Sequence, residues 1–386
     1  MDNNKLKNLI KLLEINSYSE NKVQVNRKLD YILQQLEGLP MQWERHKSER
    51  FGDFTVGRSD ETNKGKPLIG LILHVDTVHK PTTEYPVQLK GDKLYGPGAQ
   101  DMQASIHAVI EVLWQLHFED KLSNTVVVFN TCEEKGSPEF QQQFKGLAEE
   151  IDYAMVFETG DNGTFKARYG ADKHPDFCLA SSRKGIFQQI IETSGPGGHS
   201  GDLTEKNSRK NAISEAVMMV NDIEKLSDYN KETTINIAYI NGGQENTTIA
   251  ENCRFVFDAR FRYEEERHRL KSAIAEILDR EYLPGVKSID KGYNYDLPSL
   301  QPNAGSEKFY EIAESAAKEV DFTVEFEPRG GWCDGCNIYY YNPDVKVLDG
   351  FGPRGGGEHT RNEFVYIESI EKSIRLTKLV LERLIS

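Results

Sequence analysis

The sequence predicts an α/β protein in which a mixed sheet is layered by helices and interrupted by a smaller inserted α+β domain. Three observations predict it. Short continuous apolar runs rich in Val and Ile have the length of strands buried on both faces. Helical apolar stripes lie between these runs. The texture then changes between about Gly185 and Tyr295, and the first style resumes after it.

Taken in order, Leu6, Leu9, Ile10 and Leu13 fall on one helical face, as do Val25, Leu29, Ile32, Leu33 and Leu36. Two helices therefore open the chain and stop near Gly38-Leu39-Pro40, where Gly and Pro end a helix. Strands are expected at 68–73, 125–129, 153–157 and 345–348, and a helix at 104–116 with Ile106, Val109, Leu113 and Leu116 buried. The inserted region reads as strand 187–193, helix 211–226, strands 233–240 and 254–262, helix 264–282 and a strand near 286–290. That β-α-β-β-α-β order is the split arrangement of a small two-layer domain. The expected domains are 1–184 and 296–386, forming one domain, with 185–295 inserted; a helix over 367–385 closes the chain.

The 386 residues carry a formal charge of −14, which argues against a partner with a phosphate backbone. No run approaches the ~18–20 apolar residues of a membrane span. Met1-Asp2-Asn3-Asn4-Lys5 leads straight into the first helix, so no signal-peptide core is expected there. Five scattered cysteines make no disulfide framework and suit a reducing compartment, so a cytoplasmic location is expected.

The chemistry gathers where the buried strands end. The first ends in His74-Val75-Asp76, the second leads to Glu133-Glu134, and the third ends in Glu158. The fourth leads through a Gly-rich loop to His359, and Asp101 joins from the loop Gly96-Pro97-Gly98-Ala99-Gln100. In open α/β sheets ligands bind outside the carboxyl ends of strands. Carboxylates crowded there repel one another without a cation, and with the imidazoles the set suffices for two zinc-like ions. At a strand end, residues i and i+2 point the same way, so Asp76 can accept from the second ring nitrogen of His74. The residues alone do not decide which of Glu133 and Glu134 would bind metal.

The segments 74–78, 96–102 and 133–137 resemble the signature segments of the M20 metallopeptidases, a family of carboxypeptidases, aminoacylases and related deacylases. The resemblance extends through Arg183-Lys184-Gly185, Gly198-His199-Ser200, Asp258-Ala259-Arg260, Gly330-Gly331 and His359-Thr360-Arg361-Asn362-Glu363. It implies a di-zinc catalytic domain, with Co2+ or Mn2+ as alternative metals. By resemblance, His74, Asp101 and Glu158 hold one zinc. Glu134 and His359 hold the other, and Asp101 bridges. Glu133 is then the general base and Asp76 the orienter of His74. The inserted domain is expected to mediate a homodimer and to supply His199 to the partner's site. Asn246 and Arg260 match substrate-side positions, although a structural salt bridge serves Arg260 equally well.

The chain departs from the family at Asn246-Thr247-Thr248-Ile249-Ala250, where many members carry Asn-x-Ile-Pro, and at Arg354, where Gly is usual. Arg354 is either solvated or a bidentate donor to a substrate carboxylate, and Lys166 is a second candidate for that role. Cys333-Asp334-Gly335-Cys336 matches a redox pair superficially, but it lies late in the chain and in a Gly-rich loop, so inert thiols are expected. His46, His79, His107, His117, His174 and His268 lie outside any motif and are taken as surface or core residues. The expected reaction is hydrolysis of an amide or peptide bond beside a free carboxylate, in a carboxypeptidase or dipeptidase. N-acyl amino-acid deacylation is the alternative, and neither nucleic acid nor membrane is an expected partner.

Overall fold

In a computed structural model, residues 3–81, 85–160, 175–203 and 210–385 are described. The chain divides into two compact units: Met1–Ser181 with Pro302–Arg329 and Cys333–Ser386, and Ser182–Gln301 with Gly330–Trp332.

The first unit is built on an eight-stranded mixed sheet in the order Met41–His46, Phe54–Ser59, Thr125–Asn130, Ile69–His74, Tyr153–Val156, Lys346–Asp349, Phe177–Arg183 and Val324–Arg329. The four strands expected from their apolar runs are its central four. Ile69–His74 pairs parallel with Thr125–Asn130 on one side and Tyr153–Val156 on the other, and Lys346–Asp349 continues parallel. All six residues of both Ile69–His74 and Thr125–Asn130 are buried, because helices cover both faces. The outer strands escape a search for apolar runs. Met41–His46 and Val324–Arg329 are half-exposed edges, and Phe54–Ser59 carries Gly57, Arg58 and Ser59.

The helix Ala104–Phe118 turns Ile106, Val109, Val112, Leu113 and Leu116 into the core, where Ile370, Leu376, Val380 and Leu381 of the last helix, Ile367–Ile385, also lie. Each such side chain, fully buried, contributes roughly 1.5–3 kcal/mol. The helix Lys22–Gln35 starts at Asn21, whose side chain accepts from Gln24 N at 3.3 Å. Its buried face carries Val25, Leu29 and Ile32, and with them Lys28.

The second unit is a four-stranded antiparallel sheet ordered Thr234–Gly242, Asn252–Phe261, Gly185–Ser194 and Lys287–Leu297, with helices Ala212–Glu224 and Glu264–Leu278. Gly185–Ser194 alternates strictly between buried and half-buried residues, the mark of a sheet with one covered face. Phe187, Ile191, Phe255 and Phe257 meet Met219, Ile223, Leu270 and Ile274 of the helices in this unit's own core. Asn211 caps the first helix, accepting from Ile213 N at 2.9 Å and Ser214 N at 3.2 Å. All five cysteines are buried. Among the described residues, no helix is long and apolar enough to cross a membrane.

Candidate metal centre

Parallel pairing sets the carboxyl ends of the central strands side by side, with His74 opposite Asn130. Two ligand groups form there, His74–Asp101–Glu158 and Asp101–Glu134–His359, each with ligand atoms within 4.8 Å of one another. Asp101 belongs to both, and its two oxygens face different imidazoles. His74 Nε2 lies 2.9 Å from Oδ1 and His359 Nε2 lies 3.3 Å from Oδ2. His74 Nε2 is also 3.8 Å from Glu158 Oε1, and His359 Nε2 is 3.3 Å from Glu134 Oε2. Donors around a tetrahedral divalent ion at ~2.1 Å sit about 3.4 Å apart, so the nitrogen–oxygen spacings suit such an ion.

The backbone fixes these donors. His74 Nδ1 meets the Asp76 carbonyl at 3.0 Å and the Asp76 carboxylate only at 3.6 Å, which leaves Nε2 to face the cluster. The Asp76 carboxylate is committed elsewhere. Its Oδ1 accepts from Glu133 N at 3.1 Å, and its Oδ2 from Glu134 N at 3.3 Å and Ser19 Oγ at 2.7 Å. Asp76 therefore positions the turn Glu133–Lys135 as well as touching His74. Asp334 closes that turn from behind, accepting from Ser137 Oγ at 2.6 Å and Asn130 Nδ2 at 2.7 Å. The fully buried guanidinium of Arg329 donates to the Thr159 carbonyl, next to Glu158, at 2.5 Å. His359 sits at φ +59°, a conformation that non-glycine residues rarely hold.

The charges are those of crowded acids. Burial, and then Glu158, pushes the Glu133 carboxyl well above its usual range. Burial and Asp101 push Glu134 up too. Burial would also raise Asp101, but hydrogen bonds with His359 and His74 hold it far below. The same contacts act in reverse on the imidazoles. Asp101 and Glu134 push His359 up to about 11, and Asp101 and Asp76 raise His74 despite its burial. Carboxylates that draw protons onto two imidazoles would bind a divalent cation by the same attraction, and the donor set fits one in each group.

Behind the cluster, burial pushes the Lys28 ammonium down to about 7 against the pull of Glu363 and Asp76. A lysine on the stripe of Val25, Leu29 and Ile32 was the sequence signal for it. Ser19 and Asn130 lie in no motif, and although Ser137 ends the segment 133–137, only the fold shows what the three of them hold.

The other expected residues stand apart. In the second unit, Arg260 forks onto Asp258 with Nε at 2.7 Å and Nη2 at 3.1 Å, a salt bridge along one strand. His199 is exposed and accepts from Gly201 N at 3.0 Å, and Asn246 is exposed on a loop. In the first unit, Arg354 Nη1 donates to the Pro175 carbonyl at 3.1 Å and its guanidinium lies 5.9 Å from the Tyr366 ring. Lys166 and His174 lie outside the described residues.

A histidine–carboxylate cluster with a shared aspartate, at the carboxyl edge of a mixed sheet, is a donor set of the kind that metal-dependent hydrolases use. The sequence matches the family described as Peptidase family M20/M25/M40 over residues 70–383, and the chain belongs to that family. It is therefore a hydrolase of amide or peptide bonds. It is 26% identical over 380 residues to carboxypeptidase G2 of Pseudomonas sp., covering 96% of this chain and 86% of that relative. It is 27% identical over 354 residues to a succinyl-diaminopimelate desuccinylase of Nitrosomonas eutropha, covering 84% and 85%. The fold is shared with the aminopeptidase PepT of Bacillus cereus, with a TM-score of 0.77 at 16% identity over 99% and 98% of the chains. The M20 metallo-carboxypeptidase Sso-CP2 of Sulfolobus solfataricus gives a TM-score of 0.76 at 15% identity over 99% of each chain.

Proposed function

We propose that the chain is a zinc-dependent hydrolase that cleaves an amide or peptide bond beside a free carboxylate. The observation that carries this reading is the two-sided Asp101, each of whose oxygens faces a different imidazole. His74, Asp101 and Glu158 would hold one Zn2+, and Asp101, Glu134 and His359 a second, with Co2+ or Mn2+ as alternatives. When bound, the ions supply an acidified water and polarise the scissile carbonyl. Glu133 takes the proton at its carboxylate and returns it to the departing amine, a task suited to a carboxyl raised by burial. Asp76 keeps Glu133 in place through the backbone of its turn. The turn's rigidity matters because a proton acceptor must stay within hydrogen-bond reach of its water.

The second unit is assigned substrate and assembly roles. Residues 185–295 would form a homodimer, His199 would donate to the developing oxyanion in the partner's site, and Asn246 and Arg260 would contact substrate. Arg354 and Lys166 remain the candidate partners of the substrate carboxylate. Deacylation of N-acyl amino acids is the second reading, favoured by the likeness to the desuccinylase.

The test is mass spectrometry of zinc-loaded protein incubated with dipeptides, N-acyl-glutamates and N-acetyl amino acids, beside a chelated control. Chelator-sensitive release of free amino acid is expected, and the preferred substrate separates peptidase from deacylase. Release that survives chelation would overturn the zinc reading.

A further inference from the structure

We infer that Glu363 and His79 form a positioning pair that holds the loop Gly98–Asp101 and thereby aims the carboxylate of Asp101 at both ligand groups. The inference rests on the proposed role of Asp101 as the shared metal ligand. His79 lies outside any motif, and the sequence alone marks it as a filler.

Glu363 is 2% exposed, and both its oxygens are in use. Oε1 accepts from the backbone N of Gln100 at 2.9 Å and of Asp101 at 3.0 Å. Oε2 accepts from Gly98 N at 3.1 Å and meets His79 Nε2 at 2.6 Å. A carboxylate has about four acceptor positions, and four donors fill them here. The loop has little other support of this kind. It belongs to no sheet, and its irregular turn Ala99–Gln103 contains non-helical residues at Asp101 and Met102. One carboxylate therefore gathers three amides, including that of Asp101 itself.

The loop is also held in close quarters. Gly98 has φ +72°, and a Cβ there would lie 2.6 Å from Thr77 Cγ2 and 3.0 Å from the Asp101 carbonyl. The Gln100 side chain donates to Thr159 Oγ1, beside Glu158. His79 is anchored in turn, since Asn16 Nδ2 donates to its carbonyl at 3.0 Å. For Nε2 to meet a carboxylate at 2.6 Å it must carry a hydrogen, so the imidazole donates and fixes which oxygen is left for Gln100 and Asp101. Glu363 follows His359 by four residues, so one segment delivers both a metal ligand and the clamp on the shared one.

The test compares His79→Leu, which removes the donor, with His79→Gln, which keeps an N–H donor, in the full chain. Zinc affinity is read by competition with a chromophoric chelator, kcat and KM on the preferred substrate, and folding from the thermal unfolding of zinc-free protein. His79→Leu should weaken zinc about 10- to 100-fold and lower kcat with KM nearly unchanged, as for partners that orient metal ligands. His79→Gln should recover most of both. Parent-like zinc affinity in His79→Leu would overturn the inference, and so would equal losses in the two variants. Should His79→Leu fail to fold, Glu363→Gln serves instead, since its amide offers N–H groups to donors that need acceptors; parent-like zinc affinity there is equally fatal. Asp101→Asn separates the two levels. If it binds zinc like the parent, the metal-centre reading fails; if it loses zinc while His79→Leu does not, only the pair fails.

Discussion

At the scale of single residues, the site divides into groups that would touch the reaction and groups that hold them. Glu133 belongs to the first kind, because its carboxyl is raised by burial and by Glu158 while its backbone is held by Asp76. Glu133→Gln should keep its zinc, measured by metal analysis, and lose turnover by roughly 10²- to 10⁴-fold. Retained turnover would remove Glu133 from its role. The histidines and carboxylates of the cluster stood out in the sequence at strand ends and in the loops after them, but which of Glu133 and Glu134 would face the water rested on the family resemblance alone. Apart from Asp76, whose spacing from His74 marks it, the holders were not legible there. Ser19, Asn130 and Ser137 are ordinary polar residues whose meaning comes from partners far along the chain, as in Ser137 with Asp334. His79 is the clearest case, since its partner Glu363 lies 284 residues away.

Individual elements show the same division between pattern and context. The central strands announced themselves by unbroken apolar runs, and the inserted unit by its change of texture and its β-α-β-β-α-β order. The outer strands did not, because an exposed edge tolerates polar residues and, in the strand next to the edge, Gly57 owes its place to a ring. A Cβ at Gly57 would lie 2.4 Å from the Trp43 side chain, so Gly57→Ala should cost about 1–3 kcal/mol in denaturant unfolding. The helix Glu264–Leu278 carries a second device. Buried Glu266 accepts from Arg269 Nη2 at 2.7 Å, from Lys231 Nζ at 3.0 Å and from Thr233 Oγ1 at 3.0 Å. Despite burial, these partners, Arg269 foremost, lower its carboxyl to about 2. A carboxyl lowered in the folded state stabilises above its unfolded pKa and loses that contribution as pH falls through the folded one. Glu266→Gln should therefore lower the melting temperature at neutral pH, by an amount corresponding to at most about 3 kcal/mol. The difference from the parent should shrink as pH falls from 4.5 towards 2. A gap independent of pH would show that the ion pairs contribute nothing.

For the whole molecule, the question is whether one chain suffices. The second unit exposes Tyr239 and Ile240 on its edge strand Thr234–Gly242, and Val217 and Met218 on the helix Ala212–Glu224. An open edge with large apolar side chains is a surface that natural proteins cover or blunt. The proposed homodimer would cover it, and light scattering should give a dimer for the parent and a monomer for the double variant Val217→Asp, Ile240→Asp. The stronger test concerns His199, which the proposal lends to the partner's site. Glu133→Gln and His199→Ala should each be nearly inactive with zinc bound. When equal amounts are unfolded together and refolded, half the dimers are mixed if pairing is random. In each mixed dimer, the subunit with intact Glu133 receives His199 from its partner, while the other site lacks both. Activity should then return to about a quarter of the parent value, as a two-fold symmetric exchange requires. If His199 serves its own chain, no mixed dimer contains a complete site, and the mixture stays as inactive as its components.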